Sequence, residues 1–243
     1  MAISRHQLVK ELEPGLNALF GLEYNRYDNQ HAEIYTSESS DRAFEEEVML
    51  SGFGNASVKS EGSGVAFDNA QESYSARYTH ETVALAFAIT EEAIEDNLYD
   101  RISSRYTKAL ARSMSNTKQV KAAAPLNNGL PTVDGFDSGD GVSLFNTSHT
   151  TVSGTSVKNT LTTQADLNET SLEQAMIDIA AMTDERGLRI AAKAVKMIVP
   201  SANQFQAERL MKSQGRTQTA DNDINAINSM GMIPQGYRVN NFL

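Results

Sequence analysis

The sequence predicts an α+β protein organised on one long helix, with extended segments before it and an α/β segment after it. Three observations carry this expectation. Residues 90–124 contain no Gly or Pro and place an apolar side chain at every fourth position, a helical spacing. Residues 74–89 alternate as a strand does. Residues 166–213 hold two helix-start signals around one short apolar run.

The long helix comes first because the other elements depend on it. Thr90 is a candidate N-cap, and Glu91 and Glu92 favour the positive end of the helix dipole. Ile94, Leu98, Ile102, Tyr106, Leu110 and Met114 form its apolar stripe, and Pro125 is expected to stop it. At 1.5 Å per residue the rod is about 50 Å long. Heptads are absent, so it is not a coiled coil. A period of four drifts by about 40° per step on a helix of 3.6 residues per turn. The stripe therefore winds about half-way round, and different elements should pack on it along its length, as on a spine. Acidic residues (Glu91, Glu92, Glu95, Asp96, Asp100) precede basic ones (Arg101, Arg105, Lys108, Arg112, Lys118, Lys121), matching the dipole. Arg101, Arg105, Lys108 and Arg112 share one face. That face reads either as a solvated basic stripe or as a surface for an anionic partner.

Before the helix, residues 1–50 read as an arm. Leu8, Leu12, Leu16, Leu19 and Phe20 suggest a short helix, broken or kinked at Pro14-Gly15. Four basic and ten acidic residues give this segment a net charge of −6. Glu45-Glu46-Glu47 is a solvated face, or an acidic patch that meets a basic one on a neighbouring subunit. Residues 51–73 are rich in Gly, Ser and Asn. Extended pieces near Val58 and Val65–Phe67 flank Glu61-Gly62-Ser63-Gly64, which is turn chemistry and predicts a hairpin or long loop. Tyr74, Ala76 and Tyr78 then alternate with polar residues, but Val83, Leu85, Phe87 and Ile89 lie on the other parity. A strand that changes its buried face either bulges or leaves one core for another.

After the helix, residues 125–165 are a second irregular tract. Asp134, Asp137 and Asp140 with interleaved glycines invite a calcium reading, but the order of an EF-hand loop is missing and turn formation is the default. Asn168 is a candidate N-cap, with a Thr170–Glu173 capping box as the alternative. Leu172, Ala175, Met176, Ile179 and Met182 form that helix's apolar face, and Gly187 its expected C-cap. Residues 194–199 read as a buried strand ended by Pro200. Ser201 and Gln204 then open a helix with Phe205 and Leu210 inward. Residues 214–232 read as loop, and Tyr237 starts a possible last strand.

Composition bounds the function. The 243 residues, 40% hydrophobic, suffice for one large or two small domains. A net charge of −10 argues against a general nucleic-acid or anionic-membrane binder. With no Cys, disulfides and thiolate metal sites are excluded, which is compatible with a cytosolic origin. The first residues lack the apolar core of a secretory signal, and no run of about 18 apolar residues exists to span a membrane. No solenoid repeat is found. The four histidines, His6, His31, His80 and His149, form no metal-binding pair. No Walker loop, GxGxxG or GxSxG occurs. Ser148, His149 and Asp140 could be forced into a triad, but adjacent Ser-His in a Gly/Thr-rich loop is ordinarily loop chemistry. No catalytic constellation and no cofactor site is expected. Arms that cannot bury their own apolar groups suggest surfaces completed by other copies of the chain.

Several stretches resemble a known family. Ser51-Gly52-Phe53-Gly54, Tyr78-Thr79-His80-Glu81-Thr82 and Phe87-Ala88-Ile89-Thr90-Glu91-Glu92-Ala93-Ile94 look like the major head subunit of Mu-like prophages, a tailed-phage major capsid protein. Leu144-Phe145-Asn146-Thr147-Ser148-His149, Arg186-Gly187-Leu188, Val199-Pro200, Phe205, Glu208-Arg209-Leu210 and Asn222-Asp223-Ile224-Asn225 are similar to its later half. The similarity runs in order over about residues 45–243 and implies the tailed-phage and herpesvirus major capsid fold. The implied map is an N-terminal arm (1–47), an extended hairpin loop (48–80), a peripheral domain (81–125) with spine helix 90–124, and an axial α/β domain (126–243). The family pattern returns from the axial domain to finish the peripheral sheet, whereas this sequence stops at Leu243, so the chain is a fragment or lacks those strands.

The function so implied is non-enzymatic. Copies self-assemble through pentamers and hexamers into an icosahedral shell around double-stranded DNA, with scaffold, portal and decoration proteins as further partners. No membrane is involved, and the subunit assembles in the host cytoplasm and resides in the virion. Expected intersubunit contacts are Glu45, Glu46, Glu47, Phe53, Val58, Lys59, Val65 and Phe67. Expected inner-face DNA contacts are Arg101, Arg105, Lys108 and Arg112. Some relatives of the fold cross-link Lys to Asn, but no matching motif accompanies Lys59. Two alternatives are an encapsulin-like compartment, told apart by its gene neighbourhood, and an unrelated soluble enzyme using the loop 134–149.

Overall fold

The computed structural model describes residues 16–88, 99–133, 135–216 and 223–243. In chain order these are a helix over residues 16–24 (α1), a 3₁₀ turn Gln30–Glu33, strands β1 (Phe44–Leu50) and β2 (Glu72–Thr79), and helix α2 (Tyr99–Asn127). There follow β3 (His149–Thr150), β4 (Ser156–Val157), α3 (Glu169–Ala181), β5 (Met197–Pro200), α4 (Gln204–Lys212), α5 (Ala226–Ser229) and β6 (Tyr237–Asn240). They form two compact units, one from residues 1–37 and 80–123, the other from 38–79 and 124–243. The chain passes between them at Thr79–His80, where the alternation of the strand signal changes parity. One strand over 74–89 is therefore not formed: β2 ends at Thr79 and no strand follows it through residue 88. The expected kink at Pro14-Gly15 and the N-cap at Thr90 lie outside the described residues.

The first unit is built on α2. Its buried positions are Ser103, Thr107, Ala111, Ser115, Gln119 and Ala123, each no more than 5% exposed. The period of four is as expected, but the buried row is one residue away from the large apolar one. Tyr106 is 56% exposed, which corrects the expectation that Tyr106, Leu110 and Met114 mark the buried face. Small side chains let other backbone approach closely. Gln119, the largest residue of the row, instead binds backbone through its amide: its Oε1 accepts the His31 N–H at 3.0 Å and its Nε2 donates to the Asp28 carbonyl. The ring of Phe87 lies 5.9 Å from that of Tyr106, and Lys121 pairs with Glu81.

Pro125 does not stop α2, which continues through it to Asn127. A proline removes one N–H and crowds the carbonyl four residues back. Here that loss falls in the final turn, and the Asn128 backbone and side-chain amides both reach the Ala124 carbonyl at 2.9 Å. The end is then capped from outside, as the Asn127 side chain donates to the Phe242 carbonyl.

Among its described residues the second unit holds three two-stranded sheets. β1 and β2 run antiparallel from Phe44 opposite Thr79 to Leu50 opposite Glu72, with a bulge past Val48. β5 and β6 are parallel, joined through α4 and α5. The core is Met176, Ile227 and Ile233, with Leu172, Ala194, Met197 and Met211 against it. Several boundaries differ from expectation. Asn168 caps α3 as expected, in a reciprocal box with Ser171, and the alternative box of Thr170 and Glu173 is not used. α3 stops at Ala181; Gly187, at φ +83°, serves a tight turn beyond it instead. The Ser201–Gln204 box is not made, because Ser201–Asn203 is a 3₁₀ turn leading into α4. Phe205 points out at 69% exposed while Ala207 and Leu210 are buried. The stretch read as loop over 214–232 contains α5, whose Ile227 is 1% exposed. Polar composition hid it: Asn225 caps this short helix with its own side chain and also donates to the Leu210 and Ser213 carbonyls.

Candidate functional site

The β1–β2 hairpin is the feature that the fold leaves unfinished. A two-stranded ladder is marginal in water unless something covers a face. Here Phe44, Val48, Leu50 and Tyr78 are all at least 40% exposed. Arg77 spans the ladder: its guanidinium donates twice to Glu46 Oε1, at 2.9 and 2.6 Å, and lies 4.4 Å over the Phe44 ring. Glu46 is thus tied within the hairpin, while Glu45 accepts from Ser40 and Glu47 is exposed.

Past the ladder, Ser51 N–H meets the Gln71 carbonyl and Ser51 Oγ accepts the Gln71 N–H. The two arms then separate around an open cleft of about 600 Å³. They close in the expected turn, where Gly62 has φ +83° and Ser63 N–H reaches the Ser60 carbonyl. Phe53 (60%), Val58 (99%), Val65 (69%) and Phe67 (96%) stand exposed on these arms, with Lys59 beside them. Val58 and Phe67 have essentially no protein around them. Exposed apolar groups concentrated on one element are the usual mark of an interaction surface. Of the residues expected to touch a neighbour, the hairpin gathers all eight.

The basic face of α2 is where the spacing puts it. Arg105, Lys108 and Arg112 are exposed, on the order of 130° round the helix from the neighbouring buried positions Ser103, Thr107 and Ala111. Arg101 is on the helix, and its side chain is outside the described residues.

The loop after α2 was the other candidate. A cleft of about 460 Å³ is lined there by Tyr74, Asp140, His149, Lys158, Asp178 and Glu185, among others. Its charged groups are engaged within the fold. His149 Nδ1 lies 2.9 Å from Asp140 Oδ2, Lys158 donates to Asp178 at 2.8 Å, and Glu185 accepts the Val152 N–H. Burial pushes the Asp140 carboxyl up. Hydrogen bonds from Ser138, His149 and the Val142 N–H outweigh this and hold it below its ordinary value. The structure joins Asp140 to His149 but not Ser148, whose hydroxyl bonds to Ser156. The three therefore lack the relay a nucleophilic serine needs. Asp137 pairs across a bridge with Ser143, and among the described residues no cluster is placed to hold a metal ion. No helix among those residues is long and apolar enough to cross a membrane.

The chain thus combines an uncovered apolar hairpin, a long helix and a small α/β segment. The family model of phage capsid proteins matches residues 73–242, more than half of the chain. The chain belongs to the phage capsid protein family, and it is a building block of the phage shell. Among solved structures, it is similar to a chain of the procapsid of bacteriophage JBD30. The identity is 13%, the TM-score 0.63, and the match covers 99% of this chain and 100% of that one. The likeness therefore extends through β1 and the arms of the hairpin, which lie before the family match begins at residue 73. No curated protein matches the chain.

Proposed function

We propose that this chain is the major capsid subunit of a tailed phage of the Mu-like kind, and that its hairpin supplies the principal contact between copies. The observation that carries this reading is the uncovered apolar side chains of residues 44–67. Packing Val58 and Phe67 against another copy would contribute about 1.5–3 kcal/mol each. A head-to-tail contact of this type repeats around a ring, which is how pentamers and hexamers and then an icosahedral shell arise. In the domain map of this reading, residues 1–47 are the arm, 48–80 the extended loop, 81–125 the peripheral domain and 126–243 the axial domain. Assembly takes place in the host cytoplasm, with scaffold and portal, and the product is the virion head.

Arg105, Lys108 and Arg112, with Arg101, are proposed to face packaged double-stranded DNA. An exposed cationic row on an otherwise acidic chain confines DNA contact to one strip. Reversing the charge of Arg105 and Lys108 should lower DNA retention in salt while leaving shells intact. Unchanged retention removes the stripe from this role.

Val58→Asp with Phe67→Asp tests the main reading. Both side chains are almost fully exposed, so the dissociated subunit should unfold as the wild type does. Shells or rings seen by negative-stain microscopy for the wild type should be absent for the variant. Normal shells from the double variant would overturn the assignment of the hairpin.

A further inference from the structure

Two stretches that carried part of the family resemblance, Ser51-Gly52-Phe53-Gly54 and Arg186-Gly187-Leu188, are far apart in sequence. In the folded chain they meet at one side chain. Asp68 Oδ2 accepts the Gly54 N–H at 2.7 Å, and Asp68 Oδ1 accepts from Arg186 Nη2 at 2.7 Å. The same carboxylate therefore joins the two arms of the hairpin to each other and the hairpin to the α/β body. The Gly54 bond is the larger cause, and the Arg186 bond the next, of a carboxyl held below its ordinary value.

Arg186 is offered from a rigid support. Asp184 Oδ1 accepts both the Arg186 and Leu188 N–H groups, Gly187 turns at positive φ, and Thr183 bridges Arg189. Glu185 in the same turn accepts the Val152 N–H, so the turn is itself tied down on its other side. The hairpin has a second anchor at Tyr74, whose ring lies on Gly139. Five residues separate Asp68 from Tyr74, so the two anchors are at most about 20 Å apart. A segment held at one point can swing, whereas one held at two points has a direction.

We propose that Asp68 is a positioning residue for assembly: it fixes the direction in which the hairpin leaves its own subunit before another copy meets it. The inference rests on the reading that the hairpin engages a neighbour, and adds that the hairpin is aimed beforehand. Pre-organisation of this kind removes an ordering cost from each contact made.

Hydrogen exchange of the full-length dissociated subunit is the first test. In Asp68→Ala, the Gly54 amide, whose bond to the carboxylate is lost, should exchange at least about threefold faster, the scale of one exposed charge-assisted bond. Arg186→Met should leave Gly54 protected but slow assembly, since the arms stay joined while the hairpin is freed. Asp68→Asn should fall between them, because its amide oxygen still accepts from Gly54; it also serves if Asp68→Ala does not fold. The exchanged pair Asp68→Arg with Arg186→Asp should recover part of the assembly rate lost in either single variant. Wild-type exchange at Gly54 in Asp68→Ala would overturn the proposal, as would assembly losses that simply add. The exchange result needs no shell. If the wild type itself forms none, the assembly reading fails, while the exchange data still decide whether Asp68 aims the hairpin.

Discussion

Gly139→Ala isolates one contact on which the geometry of the hairpin depends. A β-carbon added at Gly139 would lie 2.0 Å from Cδ2 of Tyr74, 2.3 Å from Cε2 and 3.0 Å from Cγ. Carbon atoms rest near 3.5 Å, so the ring would have to withdraw by about 1.5 Å. It has little freedom to do so. In the β1–β2 register Ser73 and Tyr74 together oppose Met49, so Tyr74 belongs to the bulge that aims its side chain at Gly139. Overpacking of this kind costs about 1–3 kcal/mol, and the backbone attachment places it near the middle, about 2 kcal/mol. The assay is denaturant unfolding of the dissociated subunit followed by circular dichroism, with the midpoint shifted and the slope unchanged. Gly64→Ala is the control, since a β-carbon there meets nothing within 4 Å. Tyr74→Ala should abolish the effect of Gly139→Ala, giving a coupling of at least about 1 kcal/mol. If Gly139→Ala unfolds within about 0.5 kcal/mol of wild type, a margin typical of neutral surface changes, the steric reasoning is wrong.

Other substitutions probe the remaining contacts. Asn225 is 2% exposed and donates to two carbonyls while accepting from two N–H groups, so Asn225→Ala should destabilise by about 2–4 kcal/mol. A midpoint change below about 1 kcal/mol would refute that estimate. Gln119→Leu keeps the volume but strands the His31 N–H, and should increase exchange at His31 selectively. Asp140 titrates below its ordinary value when folded, so its stabilisation is complete above the unfolded pKa and is lost as pH falls through the folded one. Unfolding midpoints measured from pH 5 down to pH 2 should fall less steeply in Asp140→Asn than in wild type, the difference appearing below about pH 4. Parallel slopes would remove Asp140 from the acid response.

Periodicity located the long helix because a run without Gly or Pro has few other outcomes. Periodicity does not give the buried side, because the large apolar residues are not the ones that the fold buries. Ser103, Ala111 and Ser115 are buried instead, and their small size is what lets chain pack closely on the helix. The general rule for Pro125 weakens because its missing N–H falls in the last turn, with only Leu126 and Asn127 of the helix beyond it. α5 was missed because its stabilisation comes from Asn225, a residue that reads as loop when its hydrogen-bond partners at Leu210 and Ser213 are not in view. The hairpin was legible from Glu61-Gly62-Ser63-Gly64 and the flanking apolar residues. Asp68 was not, because nothing local marks an aspartate whose partners are 14 and 118 residues away.

The hairpin's charges and apolar groups are divided in a way that suits its place in a shell protein. Arg77, Glu46, Asp68 and Arg186 are all used inside the subunit, to hold the ladder and to connect it with the body. The apolar groups left over are Val58, Val65, Phe67 and Phe53, with exposed Lys59 and Glu47 on the same hairpin, and apolar groups attract any apolar surface. An apolar contact is non-directional, so by itself it would allow neighbours to meet at many angles. Closed shells tolerate few. Direction must then come from the hairpin's attachment to its own subunit, and the Tyr74–Gly139 and Asp68–Arg186 contacts are placed to supply it. On this argument the curvature of the shell should respond more to changes at residues 68, 139 and 186 than to conservative apolar exchanges at 58 or 67. Val58→Ile should give shells of wild-type diameter, and Arg186→Met a broadened distribution of diameters. The reverse pattern would place the control of curvature at the tip.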